Sequence, residues 1–114
     1  MPADTLPLEI SPLEVKRLLD SGEPVHLIDV REPEEHQLAR LEEARLIPMR
    51  TVPAALTSLE AAADDAQLIV FCHHGVRSLN VVAWLRQQGV ESCQSMAGGL
   101  DRWSLEIDSA IPRY

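Results

Sequence analysis

A short unbroken apolar run, Leu68-Ile69-Val70-Phe71, carries the chain straight into Cys72, and a helical pattern opens at Ser78. An apolar run with no polar alternation reads as a strand buried on both faces. Val25-His26-Leu27-Ile28-Asp29-Val30 is nearly continuous in the same way and reads as a second such strand. Strands of this kind belong in a sheet covered by helices, and the rest of the sequence supplies them.

Ser11-Pro12-Leu13-Glu14 is a capping-box signature with proline at the first helical position. Leu13, Val15, Leu18 and Leu19 form the apolar face of that helix, and Gly22 is its stop. Arg31 to His36 is a polar turn or a short helix start. Ala44 to Ile47, closed by Pro48, is a short strand. Val52 to Ala63 carries Leu56 and Leu59 at helical spacing. Ser78 to Gln88 is a helix with Leu79, Val81, Val82, Ala83 and Leu85 inward, stopped by Gly89. Val90 to Met96 is a weaker strand, and Gly98-Gly99 opens a last helix containing Leu100 and Trp103. Strands alternating with helices predict a single α/β domain over residues 1–114, with a mainly parallel sheet and helices on both faces. Sites in such sheets form beyond the carboxyl ends of strands, where Cys72 lies.

The chain has 114 residues and a net charge of -8, which argues against non-specific nucleic-acid binding and against an anionic membrane surface. No apolar run approaches the roughly 20 residues a membrane helix needs. Met1-Pro2-Ala3-Asp4 lacks a basic and then apolar targeting pattern. Two cysteines, Cys72 and Cys93, make no disulfide framework, so a cytoplasmic, reducing home is expected. An anionic small substrate would need a locally positive site on so acidic a protein.

The surroundings of Cys72 are those of a reactive thiolate. A following helix brings a partial positive charge to its N-terminus. A tight loop can turn successive N–H groups inward as an anion nest. Gly75 lets the chain curl around the sulfur, and Arg77 adds a permanent cation. His73 and His74 are adjacent in a tight loop and have no second Cys/His cluster to complete a metal site. They read as rim residues that add partial positive charge near pH 6 to 7. Cys93 reads as structural, or as a resolving thiol only if the fold brings it close to Cys72.

Three segments resemble the rhodanese-like sulfurtransferase family, in order and over nearly the whole chain. They are Asp29-Val30-Arg31-Glu32-Pro33-Glu34-Glu35, Cys72-His73-His74-Gly75-Val76-Arg77-Ser78, and Gly98-Gly99-Leu100-Asp101-Arg102-Trp103. The ending Ile111-Pro112-Arg113-Tyr114 is similar to that of single-domain bacterial members. The resemblance implies a central parallel five-stranded sheet flanked by helices. It implies that Cys72 takes a sulfane sulfur from a small anionic donor such as thiosulfate, becomes a persulfide, and yields the sulfur to cyanide, a thiol or a protein. By the same resemblance, the N–H groups of His73 to Ser78 hold the terminal sulfur. Arg77 braces the loop or meets the donor, Asp29 and Arg31 organise the neighbouring loops, and Trp103 packs the core. No cofactor or metal is called for. The alternative within the family is a module that binds a partner or relays persulfide sulfur without free turnover. The chain departs from the family at Arg40-Leu41-Glu42-Glu43-Ala44, where the usual proline and glycine are absent. Dual-specificity phosphatases that share this fold place five residues between cysteine and arginine. Here four intervene, and the smaller nest suits a sulfur atom better than a phosphate.

Overall fold

A computed structural model describes residues 6–114; the Met1–Asp4 segment read above for targeting lies outside them. The elements run β1 (Glu9–Ile10), α1 (Pro12–Asp20), β2 (Val25–Asp29), α2 (Pro33–Leu38), β3 (Arg45–Leu46), α3 (Leu56–Asp65), β4 (Gln67–Phe71), α4 (Val76–Gln87), β5 (Cys93–Met96) and α5 (Gly99–Glu106). The sheet has five strands in the order β1-β5-β4-β2-β3, and every pairing is parallel. β4 is central, flanked by β5 and β2.

Period-two alternation of β4 sorts the core into two halves. Leu68, Val70 and Cys72 face the side covered by α3 and α4, where Leu59, Val81, Val82 and Leu85 are buried. Ile69 and Phe71 face the side covered by α1 and α5, with Val15, Met96, Leu100 and Trp103. Trp103 is thus a core residue, as expected. Among the described residues, no helix is long and apolar enough to cross a membrane.

Helix ends follow local chemistry. Ser11 caps α1 by accepting the Glu14 N–H at 3.2 Å. α1 closes on Gly22 and α4 on Gly89 in the same manner. In each, the amide two residues past the cap bonds back to the helix: Glu23 N to Leu18 O at 3.1 Å, and Val90 N to Leu85 O at 2.9 Å. These are Schellman closures, which need the left-handed backbone that Gly22 and Gly89 adopt.

The structure corrects several boundaries. Val90 is spent on the α4 closure, so β5 begins only at Cys93. Residues 49–55 form two 3₁₀ turns, Met49–Thr51 and Pro53–Ala55, because Pro53 has no N–H to continue a helix from Val52; α3 starts at Leu56. Leu13 is 58% exposed on the outer side of α1, and Ala83 is exposed on α4 rather than inward. β1 escaped sequence reading, since two residues carry no periodicity; its place comes from pairing with β5, Glu9 beside Ser95 and Ile10 beside Met96. At 40–44 the missing proline and glycine are not needed. A turn closes with Ala44 N on Leu41 O at 3.1 Å, Leu41 is anchored in the core, and no non-glycine residue has positive φ among the described residues.

Candidate active site

Cys72 is the first residue beyond the carboxyl end of β4, and α4 begins four residues later. The intervening loop folds over the sulfur. Gly75 N–H donates to Cys72 Sγ at 3.1 Å, and Ser78 N–H at 3.4 Å. The thiol in turn points at Ser78 Oγ, 3.5 Å away. Of the six amides expected to face the sulfur, these two reach it; Val76 and Arg77 lie in the first turn of α4, where amides have no intrahelical acceptor. Gly75 caps α4 at φ +102, a conformation open to glycine, and this lets its own N–H point back to the sulfur. Two amides and the N-terminal end of α4 thus face the sulfur, the arrangement of an anion-binding nest.

The loop rests on α5. Leu100 N–H donates to Cys72 O at 2.8 Å and Asp101 N–H to His73 O at 3.1 Å. Gly99 makes that approach possible: a Cβ there would lie 2.4 Å from Cys72 O and 2.5 Å from His73 O. Gly99 is therefore the back wall of the cysteine loop. Behind the loop, Ser78 Oγ and Ser95 Oγ are 2.7 Å apart and both serines are fully buried. Ser95 had no sequence signal beyond its place in a weak strand.

Asp29 and Arg31 form a fully buried ion pair at the end of β2. Arg31 Nε donates to Asp29 Oδ1 at 2.9 Å and Nη2 to Oδ2 at 2.7 Å. Its remaining N–H groups reach Ala39 O at 2.6 Å, Glu35 O at 3.2 Å and the Tyr114 hydroxyl at 2.9 Å. The pair ties α2 and the following turn to the sheet beside the loop.

Arg77 does not stand free at the mouth. Nη1 and Nη2 donate to the two carboxylate oxygens of Glu35 on α2, at 2.7 and 2.9 Å. These bonds from Arg77 are the main reason the Glu35 carboxyl is held down to about 2. Tyr114 closes the cluster. Its hydroxyl donates to Glu35 Oε2 at 2.8 Å, and its ring stacks on His73 with centroids 3.8 Å apart and planes at 10°. Burial chiefly, with Glu35 adding, pushes the phenol up to about 12. Burial also pushes the titration of His73 down, which disfavours its charged form, while the His74 side chain is 63% exposed on the rim. Glu35 and Tyr114 both lie in segments that carry the family resemblance, but the sequence assigned neither a role. Glu35 sits at the third position of a capped helix start, where a carboxylate reaching back to Glu32 N–H at 3.0 Å is its ordinary use.

Cys93 is no resolving thiol. It pairs in register with Leu68, four residues before Cys72, so the two sulfurs are separated by about 13 Å of strand. Its Sγ faces Val90 O at 3.3 Å, and burial pushes the thiol pKa up.

A parallel α/β sheet whose central strand ends in a cysteine, with the amides of a helix-capping loop donating to its sulfur, defines the class of domain. Within that class the chain belongs to the Rhodanese-like domain family, which it matches over residues 11–106. It is 34% identical over 95 residues to the thiosulfate sulfurtransferase GlpE of Pseudomonas paraeruginosa, covering 82% of this chain and 81% of that one. It is 35% identical over 105 residues to the adenylyltransferase and sulfurtransferase MOCS3-1 of Zea mays, covering 89% of this chain but only 22% of that protein's length. The crystal structure of a rhodanese-like domain protein from Staphylococcus aureus superposes with a TM-score of 0.76 at 31% identity, covering 93% of this chain and 97% of the other.

Proposed function

We propose that this protein is a sulfurtransferase that carries a sulfane sulfur on Cys72. The observation that carries the reading is the Cys72 sulfur itself, buried at the head of α4 with the Gly75 and Ser78 amides both donating to it. In the first step the Cys72 thiolate attacks the outer sulfur of a donor such as thiosulfate. The donor's S–S bond breaks, sulfite leaves with its electron pair, and Cys72 keeps a terminal sulfur with one negative charge. The amide donors of the loop stabilise that charge, in the manner of an oxyanion hole. In the second step cyanide or a thiolate attacks the terminal sulfur, and the Cys72 thiolate is released. Ser78 and Ser95 lie behind the loop, where their hydroxyl pair fixes its floor. Asp29 and Arg31 position α2 and the loops around the mouth without touching the sulfur.

Double displacement through a covalent intermediate gives ping-pong kinetics. Initial rates of thiocyanate formation, with thiosulfate and cyanide varied together, should give parallel double-reciprocal lines. Converging lines would reject the covalent carrier. Cys72→Ser should abolish turnover.

A second reading draws on a relative of this domain. The chain spans about a fifth of a relative that joins sulfurtransferase to adenylyltransferase in its name. As a relay, the protein would accept sulfur from one protein and hand it to another through the same Cys72 persulfide. Slow turnover with every small donor, alongside rapid loading of Cys72 by a persulfidated protein, would favour this reading.

A further inference from the structure

Arg77 is the one permanent cation in the stretch from Cys72 to Ser78, the natural attractor of an anionic sulfur donor. Its charge is already spent. Both terminal nitrogens bond to Glu35, at 2.7 and 2.9 Å. The Glu35 carboxylate is itself saturated by four donors: two from Arg77, the Glu32 N–H at 3.0 Å and the Tyr114 hydroxyl at 2.8 Å. A carboxylate so held stays ionised at working pH, its titration lowered to about 2 chiefly by the Arg77 bonds. The rest of the rim repeats the pattern. Arg50 pairs with Glu32 at 2.7 Å, and Arg113 with Asp101 at 2.8 Å, while His74 lies 3.9 Å from the same Asp101. Around the loop, each described arginine carries a carboxylate partner. A small dianion arriving at Cys72 meets amide dipoles but no net cation, on a chain whose overall charge is -8.

We propose that Glu35, fixed by Tyr114, is a specificity-determining residue of the sulfur-transfer site. By neutralising Arg77 it tunes the mouth for sulfane-sulfur donors of low charge, such as alkyl persulfides and thiosulfonates, over small dianions such as thiosulfate. The inference rests on the sulfurtransferase reading above and deepens it. Glu35 acts through Arg77 and does not touch the sulfur. The rival role for the same geometry is a plain brace between α2 and α4, and the two differ in one readout. A brace, when cut, weakens transfer from every donor alike. A charge filter, when removed, changes the ratio between donors.

Two donors separate these cases: thiosulfate, with two negative charges, and methanethiosulfonate, with one. Each presents the same terminal sulfane sulfur. The Cys72 thiolate takes that sulfur from either, and sulfite or methanesulfinate leaves with the electron pair of the broken S–S bond. With cyanide as the common acceptor, kcat/KM is measured for both donors in the wild-type chain and in Glu35→Gln. The thiosulfate-to-methanethiosulfonate ratio should rise in the variant on the order of fivefold at low salt, since one unit of screened charge is unmasked beside a donor one charge heavier. A ratio that stays put while both donors lose equally overturns the proposal and leaves a brace. A second measurement needs no variant. Between about 10 and 150 mM salt the Debye length shrinks from roughly 30 to 8 Å. Over that range wild-type kcat/KM for thiosulfate should stay level or rise, because no unpaired cation draws the dianion in. A fall seen for thiosulfate and not for methanethiosulfonate overturns the proposal even if Glu35→Gln fails to fold. Wild-type protein that takes sulfur from neither donor overturns the sulfurtransferase reading and this inference with it. Transfer from both donors with the wrong ratio or salt trend overturns this inference alone.

Discussion

Gly99→Ala should damage the protein more than its backbone conformation explains. Gly99 has φ +62, and a Cβ there would sit 2.4 Å from the carbonyl oxygen of Cys72 and 2.5 Å from that of His73. Both atoms are backbone and cannot rotate away. Gly22 provides the matched control: its φ is +78, and nothing lies within 4 Å of the Cβ that alanine would add. A Cβ in the left-handed region costs about 1–2 kcal/mol, so Gly22→Ala should lose about that much. At Gly99 the overpacking adds typically 1–3 kcal/mol, for a total of about 2–5 kcal/mol. The carbonyls that must yield are those holding Leu100 N–H and Asp101 N–H, so the cysteine loop moves with them. At roughly 4–6 °C per kcal/mol for a domain of this size, Gly22→Ala should melt about 5–10 °C low and Gly99→Ala about 10–25 °C low. Urea unfolding at constant m-value gives the stabilities. Sulfur uptake by Cys72, measured well below both melting points, gives the loop. Gly99→Ala should take up sulfur slowly even where fully folded, and Gly22→Ala at the normal rate. Equal stability losses, or normal uptake by folded Gly99→Ala, would refute the claim that this glycine is the loop's back wall.

Other outcomes follow from the cluster around Tyr114. The chain has one tyrosine, so phenolate absorbance titrates Tyr114 alone; its midpoint should lie near 12 in the folded protein, and a midpoint near the ordinary 10 would mean the hydroxyl is not held. Glu35 has a folded pKa near 2, below its ordinary 4.5, so its ionised form stabilises the fold above about pH 4.5 and that contribution is lost as pH falls toward 2. The stability gap between wild type and Glu35→Gln should therefore be full at pH 6 and close between pH 5 and 2; a gap that does not change with pH would contradict the pairing. Arg31→Ala removes the guanidinium from the fully buried Asp29 carboxylate, leaving it the residue-31 N–H and His36 Nδ1, and should cost about 3–5 kcal/mol in urea unfolding, whereas a loss under 1 kcal/mol would mean the site is wet.

The sheet was legible because its central strands are apolar runs and its helices carry their own stops. Leu68 to Phe71 and Gly22 with Gly89 needed nothing beyond local pattern. The cysteine loop was legible for the same reason: Cys72, Gly75 and Arg77 lie within six residues of one another. What escaped was everything that tertiary contact alone decides. Glu35 is 42 positions from Arg77, and Tyr114 is 83 from Arg31. Nothing in a spacing pattern joins them. Arg77 was expected to meet a donor anion or brace the loop; the structure shows it braced by a carboxylate from another helix. β1 was invisible because two residues show no period, and Leu13 was misassigned because a helix this short offers few turns from which to fix its buried face.

The central claim is that Cys72 carries the sulfur. Intact mass of the reduced wild-type chain after exposure to methanethiosulfonate or thiosulfate, followed by removal of excess donor, tests it most directly. The expected result is one added sulfur atom on wild type and on Cys93→Ala, none on Cys72→Ser, and loss of the added atom on treatment with cyanide. Added sulfur that persists in Cys72→Ser, or a wild-type chain that gains none from either donor, would contradict the account.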